Sequence, residues 1–199
     1  MDGLEDQAVA ALAGILDQLH KNHTVEIFRS SRDSIMFQIC EGLKTIKKMK
    51  KNTTGAVQLL ILKGGISLNG LFMLQQALLE NESIEELFLM RLKSVLELQG
   101  AVECCRRQPR IRSLTLVSYE PPTSRRIGEG REVIAITLRD SIFGVPQLYN
   151  NNDDKIQGIP TLKELVIVRY PLGAEGAQIL ANVVAKNATI TTLRLLDCV

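Results

Sequence analysis

Residues 173–198, GAEGAQILANVVAKNATITTLRLLDC, read as one helix, one turn and one strand in a single short unit. Ala177, Leu180, Ala181 and Val184 fall at i, i+3, i+4 and i+7, which lays an apolar stripe along a helix. Ile190, Leu193 and Leu195 then follow in the spacing L-x-x-L-x-L, the pattern of a strand with one buried face. Asn187-Ala188-Thr189 joins the two halves. Earlier stretches repeat this order of parts with errors, so the sequence predicts an array of strand-helix units.

Aligning strands on the first apolar residue of L-x-x-L-x-L gives seven. They are Val25 with Phe28, Val57-Leu60-Leu62, Ile84-Leu87-Leu89, Ile111-Leu114-Leu116, Val133-Ile136-Leu138, Leu162-Leu165-Ile167 and Ile190-Leu193-Leu195. The intervals, by subtraction, are 32, 27, 27, 22, 29 and 28 residues. Helices fit between them: Leu12, Ile15, Leu16 and Leu19 share a face near Leu4 to Lys21. Ile39, Leu43 and Ile46 share another, with Ser34 as an N-cap, and further helices are expected near Ser67 to Glu80 and Ser94 to Arg107.

The middle is less regular. Pro121, Pro122, Gly128 and Gly130 predict a loop over 119–131, and Pro146, Asn150-Asn151-Asn152 and Gly158 predict an irregular crossover over 140–160. Arg131 to Ile142 also reads as a helix. The β-branched residues Val133, Ile134, Ile136 and Thr137, together with the interval, favour a strand.

The motif G-A-x-x-L-A-x-x-x-x-x-N-x-T-I-x-x-L-x-L resembles the leucine-rich repeat of the ribonuclease-inhibitor type, whose repeats each supply a strand and a helix at periods of about 20 to 29 residues. The resemblance implies an α/β solenoid, a horseshoe with a concave parallel sheet of about seven strands and outer helices, from which the helix-poor middle repeats expected here depart. It implies one domain over 1–199: an N-terminal cap and first repeat over 1–33, the two irregular crossovers, and two regular repeats over 161–199. Gly65, Leu92, Tyr119 and Tyr170 stand after the strands where such repeats hold Asn or Cys, whereas Cys198 fits that position. A strand ending at Leu196 without a polar cap predicts an open edge, and hence either a piece of a longer protein or self-association.

Composition supports an ordered, soluble chain: 45% hydrophobic and 23% charged residues are ordinary for a globular domain, and a net charge of +2 favours no polyanionic partner. The start MDGLEDQAV lacks a basic and apolar leader, and Gly64 to Leu79 is too short and polar to span a bilayer. With four cysteines and no leader, a cytoplasmic or nuclear setting with reduced thiols is expected. No cofactor is expected, and neither is a metal site: Cys104-Cys105 has no companion pair at zinc spacing, and His20 and His23 stand alone. The nucleotide-binding and hydrolase motifs are absent, so a non-enzymatic role is expected. Four N-x-[ST] triplets, at Asn22, Asn52, Asn81 and Asn187, all fall at helix-to-strand joints. They read as turns in which Asn takes the left-handed conformation and Ser or Thr bonds the backbone, in preference to glycosylation sites.

Two surfaces carry the functional expectation. Alternation along the strands turns Ile27, Arg29 and Ser31, then Leu59, Ile61 and Lys63, Glu86, Phe88 and Met90, Ser113, Thr115 and Val117, Ala135, Thr137 and Arg139, Glu164, Val166 and Val168, and Thr192, Arg194 and Leu196 toward the concave side. Leu59, Ile61, Phe88, Met90, Val117, Val166, Val168 and Arg194 are the expected partner-binding set, with Phe88 and Met90 as anchors. A protein partner on this face, a fold of the middle loops over it, and a face assignment wrong by one residue remain open. Lys44, Lys47, Lys48, Lys50 and Lys51 form a basic run, read as a solvated helix end. The alternatives are regulation of a small GTPase, as in the similar repeats of Ran GTPase-activating proteins, and a phosphoinositide or RNA contact through the lysines.

Overall fold

Parallel strands cannot be joined by tight turns, so each needs a crossover long enough to climb over the sheet and return. The computed structural model, which describes residues 24–28, 32–48, 57–106, 108, 110–118, 131–143, 159, 161–187 and 189–198, meets this need with helices. The elements alternate along the chain: β1 (Thr24–Ile27), α1 (Asp33–Lys48), β2 (Leu59–Leu62), α2 (Leu68–Glu80), β3 (Glu86–Leu92), α3 (Val95–Arg106), β4 (Ser113–Ser118), α4 (Arg131–Phe143), β5 (Glu164–Val168), α5 (Gly173–Lys186) and β6 (Thr192–Leu196). The six strands form one open parallel sheet in chain order, and each helix packs against the next.

The registers stack like on like. Val25, Leu60, Leu87, Leu114, Leu165 and Leu193 form one row, and Ile27, Leu62, Leu89, Leu116, Ile167 and Leu195 a second. From β1 to β5 every member is buried in one continuous core, which Met36, Ile39, Leu43, Leu74, Leu78, Leu98 and Leu180 complete from the helices. Each fully buried aliphatic side chain contributes about 1.5–3 kcal/mol relative to exposure. The spacing L-x-L is therefore a direct record of which face of each strand meets the helices.

Several expectations fail. Residues 133–138 are not a strand, because β4 pairs directly with β5, Ser113 with Glu164, and no strand lies between them. The intervals of 22 and 29 are in fact one strand-to-strand interval of 51 residues, from Ser113 to Glu164, and α4 lies within it. Ala135, Leu138 and Ile142 recur at three and four residues and are fully buried, while Thr137 is nearly so. Helical periodicity satisfied by packing on α3 and α5 prevails over β-branched propensity, which is a weak local preference. The middle of the fold is thus less helix-poor than expected, since α4 stands where a strand was expected, and the described sheet has six strands.

The first strand is also displaced. Val25 pairs with Leu60, not with Val57, so Val25 and Ile27 occupy the two core rows and Thr24, Glu26 and Phe28 turn outward. Ile27, expected on the open face, is buried; Arg29 and Ser31 lie outside the described residues. Ser34 does not cap α1, which begins at Asp33 with the Arg32 carbonyl accepting from the Ile35 and Met36 amides. Asp33 instead accepts from Ser67 Oγ at 2.5 Å and Asn69 Nδ2 at 2.9 Å, tying the starts of α1 and α2 together. Ser67 also caps α2 by accepting from the Gly70 amide at 2.9 Å. The helix expected over residues 4–21, the 119–130 loop and residues 144–158 lie outside the described residues.

Two N-x-[ST] triplets lie within the described residues, at Asn81 and Asn187, and both close turns. The mechanism differs from the expected one: both Asn are extended, at φ −89° and −91°, not left-handed. Asn81 Oδ1 accepts from the Ser83 amide, the Ser83 hydroxyl and the Ile84 amide at 2.9, 3.1 and 3.1 Å, while its Nδ2 donates to the Leu43 carbonyl at 3.1 Å. Asn187 Oδ1 accepts the equivalent three at 2.7, 2.8 and 2.8 Å. Gln108 holds the same place before Ile111. Its Nε2 donates to the Leu78 carbonyl, near the end of α2 one repeat back, and to the Asn81 carbonyl at 2.7 Å. Asn81 and Gln108 thus form a buried polar ladder beside the core, each donating from its side-chain amide to a backbone carbonyl of the helix one repeat back.

Candidate functional site

The residues between the core positions project from the face of the sheet away from the helices. The registers set them in rows. Thr24, Leu59, Glu86, Ser113, Glu164 and Thr192 lie nearest the strand starts, and Glu26, Ile61, Phe88, Thr115, Val166 and Arg194 come next. Met90, Val117, Val168 and Leu196 form a third row, which Lys63 and Phe28 continue toward β1, where the Lys63 amide donates to the Ile27 carbonyl at 2.8 Å.

All eight residues of the expected partner-binding set are on this one face. Ile61, Phe88, Met90, Val166 and Val168 are half-buried and run as an apolar band across β2 to β5, with Leu59 beside Ile61. Val117 differs. It is only 5% exposed yet does not belong to the core cluster, so it floors the band between Met90 and Val168 without offering surface. Arg194 is exposed on β6, with Nε 3.3 Å from Glu164, which also accepts from Ser113 Oγ at 3.2 Å. At the other end Lys63 Nζ sits 2.6 Å from Glu26 and 4.9 Å from the centre of the Phe28 ring. Exposed pairs of this kind contribute about 0–1 kcal/mol each, so their effect is to frame the band more than to hold the fold.

Three other members of the expected face are elsewhere. Ala135 and Thr137 are buried in α4, and Arg139 pairs with Asp140 at 2.6 Å, because that stretch is a helix. Phe28, by contrast, is 66% exposed and was hidden by the displaced alignment of β1. The phenylalanines carry a signal that composition alone does not. Phe28, Phe37 and Phe72 are more than half exposed and Phe88 is half-buried, while the described core is built from aliphatic residues, methionine, cysteine and one tyrosine. Large aromatics kept out of a core that has room for leucine are what recognition surfaces are enriched in.

The basic run does not assemble into a site. Lys44 Nζ pairs with Glu41 at 2.9 Å, which raises the lysine pKa, Lys47 and Lys48 are the last residues of α1, and Lys50 and Lys51 lie outside the described residues. The thiols do not suggest chemistry either. Burial pushes Cys40 and Cys104 up to about 12 and Cys105 well above its usual value, so all three stay protonated and inert at neutral pH. Cys198 is half-buried and donates to the Ile167 carbonyl at 3.3 Å, linking the turn after β6 to strand β5. Among the described residues no three His, Cys, Asp or Glu side chains gather as metal ligands, and no helix is long and apolar enough to cross a membrane.

No family model and no curated protein matches this sequence. One solved structure is similar in fold: leiomodin-1 actin-binding site 2 (ABS2). The TM-score is 0.53 at 15% identity, and the match covers 88% of this chain and 86% of that one. At that identity the likeness concerns the path of the backbone, and function has to be argued from the side chains on the open face.

Proposed function

We propose that the chain is a leucine-rich-repeat scaffold of the ribonuclease-inhibitor-like type that binds a protein partner on the concave face of its sheet and catalyses no reaction itself. The observation that carries this reading is the apolar band of Ile61, Phe88, Met90, Val166 and Val168, continued to the sheet edges by Phe28 and Leu196. A contiguous apolar surface rimmed by charge is the usual mark of an interaction site. The absence of cysteine pairing fits a reducing compartment, cytoplasmic or nuclear. Leiomodin-1 ABS2 is an actin-binding site, so actin is the first purified partner to test, although a shared fold does not itself carry a partner across.

The test is affinity capture from extract and direct binding to purified actin, comparing the native chain with Phe88→Glu/Met90→Glu checked for folding by circular dichroism. Partners lost only with the variant support recognition by the band. Capture of the same set by both forms overturns it.

A second reading, self-association, is favoured by the edge at β6. Leu193 and Leu195 are half-exposed, although their counterparts on β2 to β5 are almost completely buried. Concentration-dependent sedimentation that Leu195→Glu abolishes would support it, and a monomer at all concentrations would exclude it.

A further inference from the structure

β3 and β5 carry the same six-residue pattern at the same register, Glu86-Leu87-Phe88-Leu89-Met90-Arg91 and Glu164-Leu165-Val166-Ile167-Val168-Arg169. Each begins on an outward glutamate, presents two outward apolar side chains and ends on an exposed arginine. Both arginines are held at φ 60°, a left-handed conformation that disfavours any residue but glycine. Neither enters an ion pair among the described residues. β4, between them, offers Ser113, Thr115, Val117 and Ser118 and no charge. Glutamates thus stand at the starts of β3 and β5 and exposed arginines at their ends, while the equivalent left-handed position after β6 holds Asp197, at φ 52°.

The spacing suits one kind of occupant. β3 and β5 are two strand spacings apart, about 9.6 Å, while residues seven apart on an α-helix are separated by about 10.5 Å. From glutamate to arginine along either strand is about 16 Å, enough for a helix about 10–12 Å wide with its flanking side chains. An extended peptide crossing the same strands would set unpaired backbone amides over apolar side chains, whereas a helix arrives with those groups already bonded to one another.

We infer that the open face takes an amphipathic α-helix of the partner, laid across the strands with its apolar seam on Phe88, Met90, Val166 and Val168 and with carboxylates seven residues apart beside Arg91 and Arg169. Basic residues on its opposite flank face Glu86 and Glu164. Glu164 is already shared with Arg194 and Ser113, so the arginine side sets the polarity. This inference rests on the scaffold reading above and adds the chemistry of the partner.

The experiment is selection from a displayed library of 18-residue helical peptides on the native chain, with counter-selection on the folded Phe88→Glu/Met90→Glu variant. Enriched sequences are expected to repeat apolar residues at i, i+3 or i+4 and i+7, with acidic residues seven apart on one flank. A selected peptide should bind about fivefold more tightly than a version whose flank carboxylates are changed to lysine. Arg91→Glu/Arg169→Glu should reverse that order, and Arg91→Gly/Arg169→Gly, which suits the left-handed backbone, should abolish the preference while the fold is kept. Peptides that need Phe88 and Met90 but show no acidic flank, or no response to the arginine changes, overturn the helix polarity and leave the scaffold reading intact. Failure to select any peptide dependent on Phe88 and Met90 overturns the inference as a whole, while the scaffold reading is decided separately by the capture experiment.

Discussion

Replacing Asn81 with alanine tests whether the buried polar ladder stabilises the fold. Asn81 is 1% exposed and makes four hydrogen bonds through its side chain, so Asn81→Ala leaves the Leu43 carbonyl and the Ser83 and Ile84 amides without that partner in a site water does not reach. An orphaned buried backbone group costs about 1–3 kcal/mol. Allowing for partial relaxation, the expected loss is about 3–5 kcal/mol. Asn187→Ala removes three accepted bonds from a half-buried turn, where water can replace them, and is expected to cost about 1–2 kcal/mol. The chain has no tryptophan, so urea unfolding is followed by far-UV circular dichroism. With a slope of about 2–3 kcal/mol/M, Asn81→Ala should lower the midpoint by about 1.5 M and Asn187→Ala by about half that or less. Equal shifts, or a loss below about 1 kcal/mol at Asn81, would refute the ladder argument.

Further expectations follow from individual residues. Arg169→Gly should leave stability unchanged or raised while Arg169→Val lowers it by about 1–2 kcal/mol, because φ is 60° there and a β-branched residue tolerates that conformation worst; equal midpoints would contradict this. Gly176→Val should destabilise, since a Cβ at Gly176 would already lie 3.1 Å from Ala135 Cβ where α5 meets α4, and a Tm within experimental error of native would show that the helices can part. In thiol labelling of the native chain Cys198 should react first and Cys40, Cys104 and Cys105 only on unfolding; fast labelling of Cys104 would contradict its burial. Burial raises the folded pKa of Cys40 and Cys104 to about 12 from 9.0, so their contribution is intact below about pH 9 and is lost as pH rises toward 12. Alkaline unfolding that Cys40→Ala/Cys104→Ala leaves unchanged would count against it. Asp33 titrates below its usual value because Ser67 and Asn69 donate to it, so its contribution is present above about pH 4 and fades as the carboxylate is protonated; Asp33→Asn should weaken that acid dependence.

Much of this architecture is legible from spacing because a parallel repeat sheet stacks equivalent positions. Five of the six strands lie where L-x-x-L-x-L puts them, and the two buried rows are the two leucine columns. The failures share a physical cause. Residues 133–138 satisfy the strand spacing and the helix spacing at once, and only the packing of Ala135, Leu138 and Ile142 against neighbouring helices decides between them. In β1 the pairs Val25/Ile27 and Val25/Phe28 both offer apolar residues, and only pairing with Leu60 and Leu62 sends Phe28 outward.

The open face was legible in its residues but not in its organisation. Alternation alone puts Glu86, Phe88 and Met90, and Glu164, Val166 and Val168, on one face, but it does not mark Arg91 and Arg169, because a charge on a surface usually signifies solubility alone. What gives Glu86, Arg91, Glu164 and Arg169 meaning is recurrence at one register on two strands, with an uncharged strand between. Repeat proteins make this kind of evidence available. In a single-copy fold two arginines at φ 60° would be two local oddities, whereas here each follows a residue, Met90 or Val168, that the sheet holds at one register. The repeat thus acts at two levels. It buries the leucine rows that make the sheet, and by the same translation it multiplies whatever each strand presents on its other side. A substitution that shifted one strand by a residue would therefore exchange the faces and destroy the core and the apolar band together.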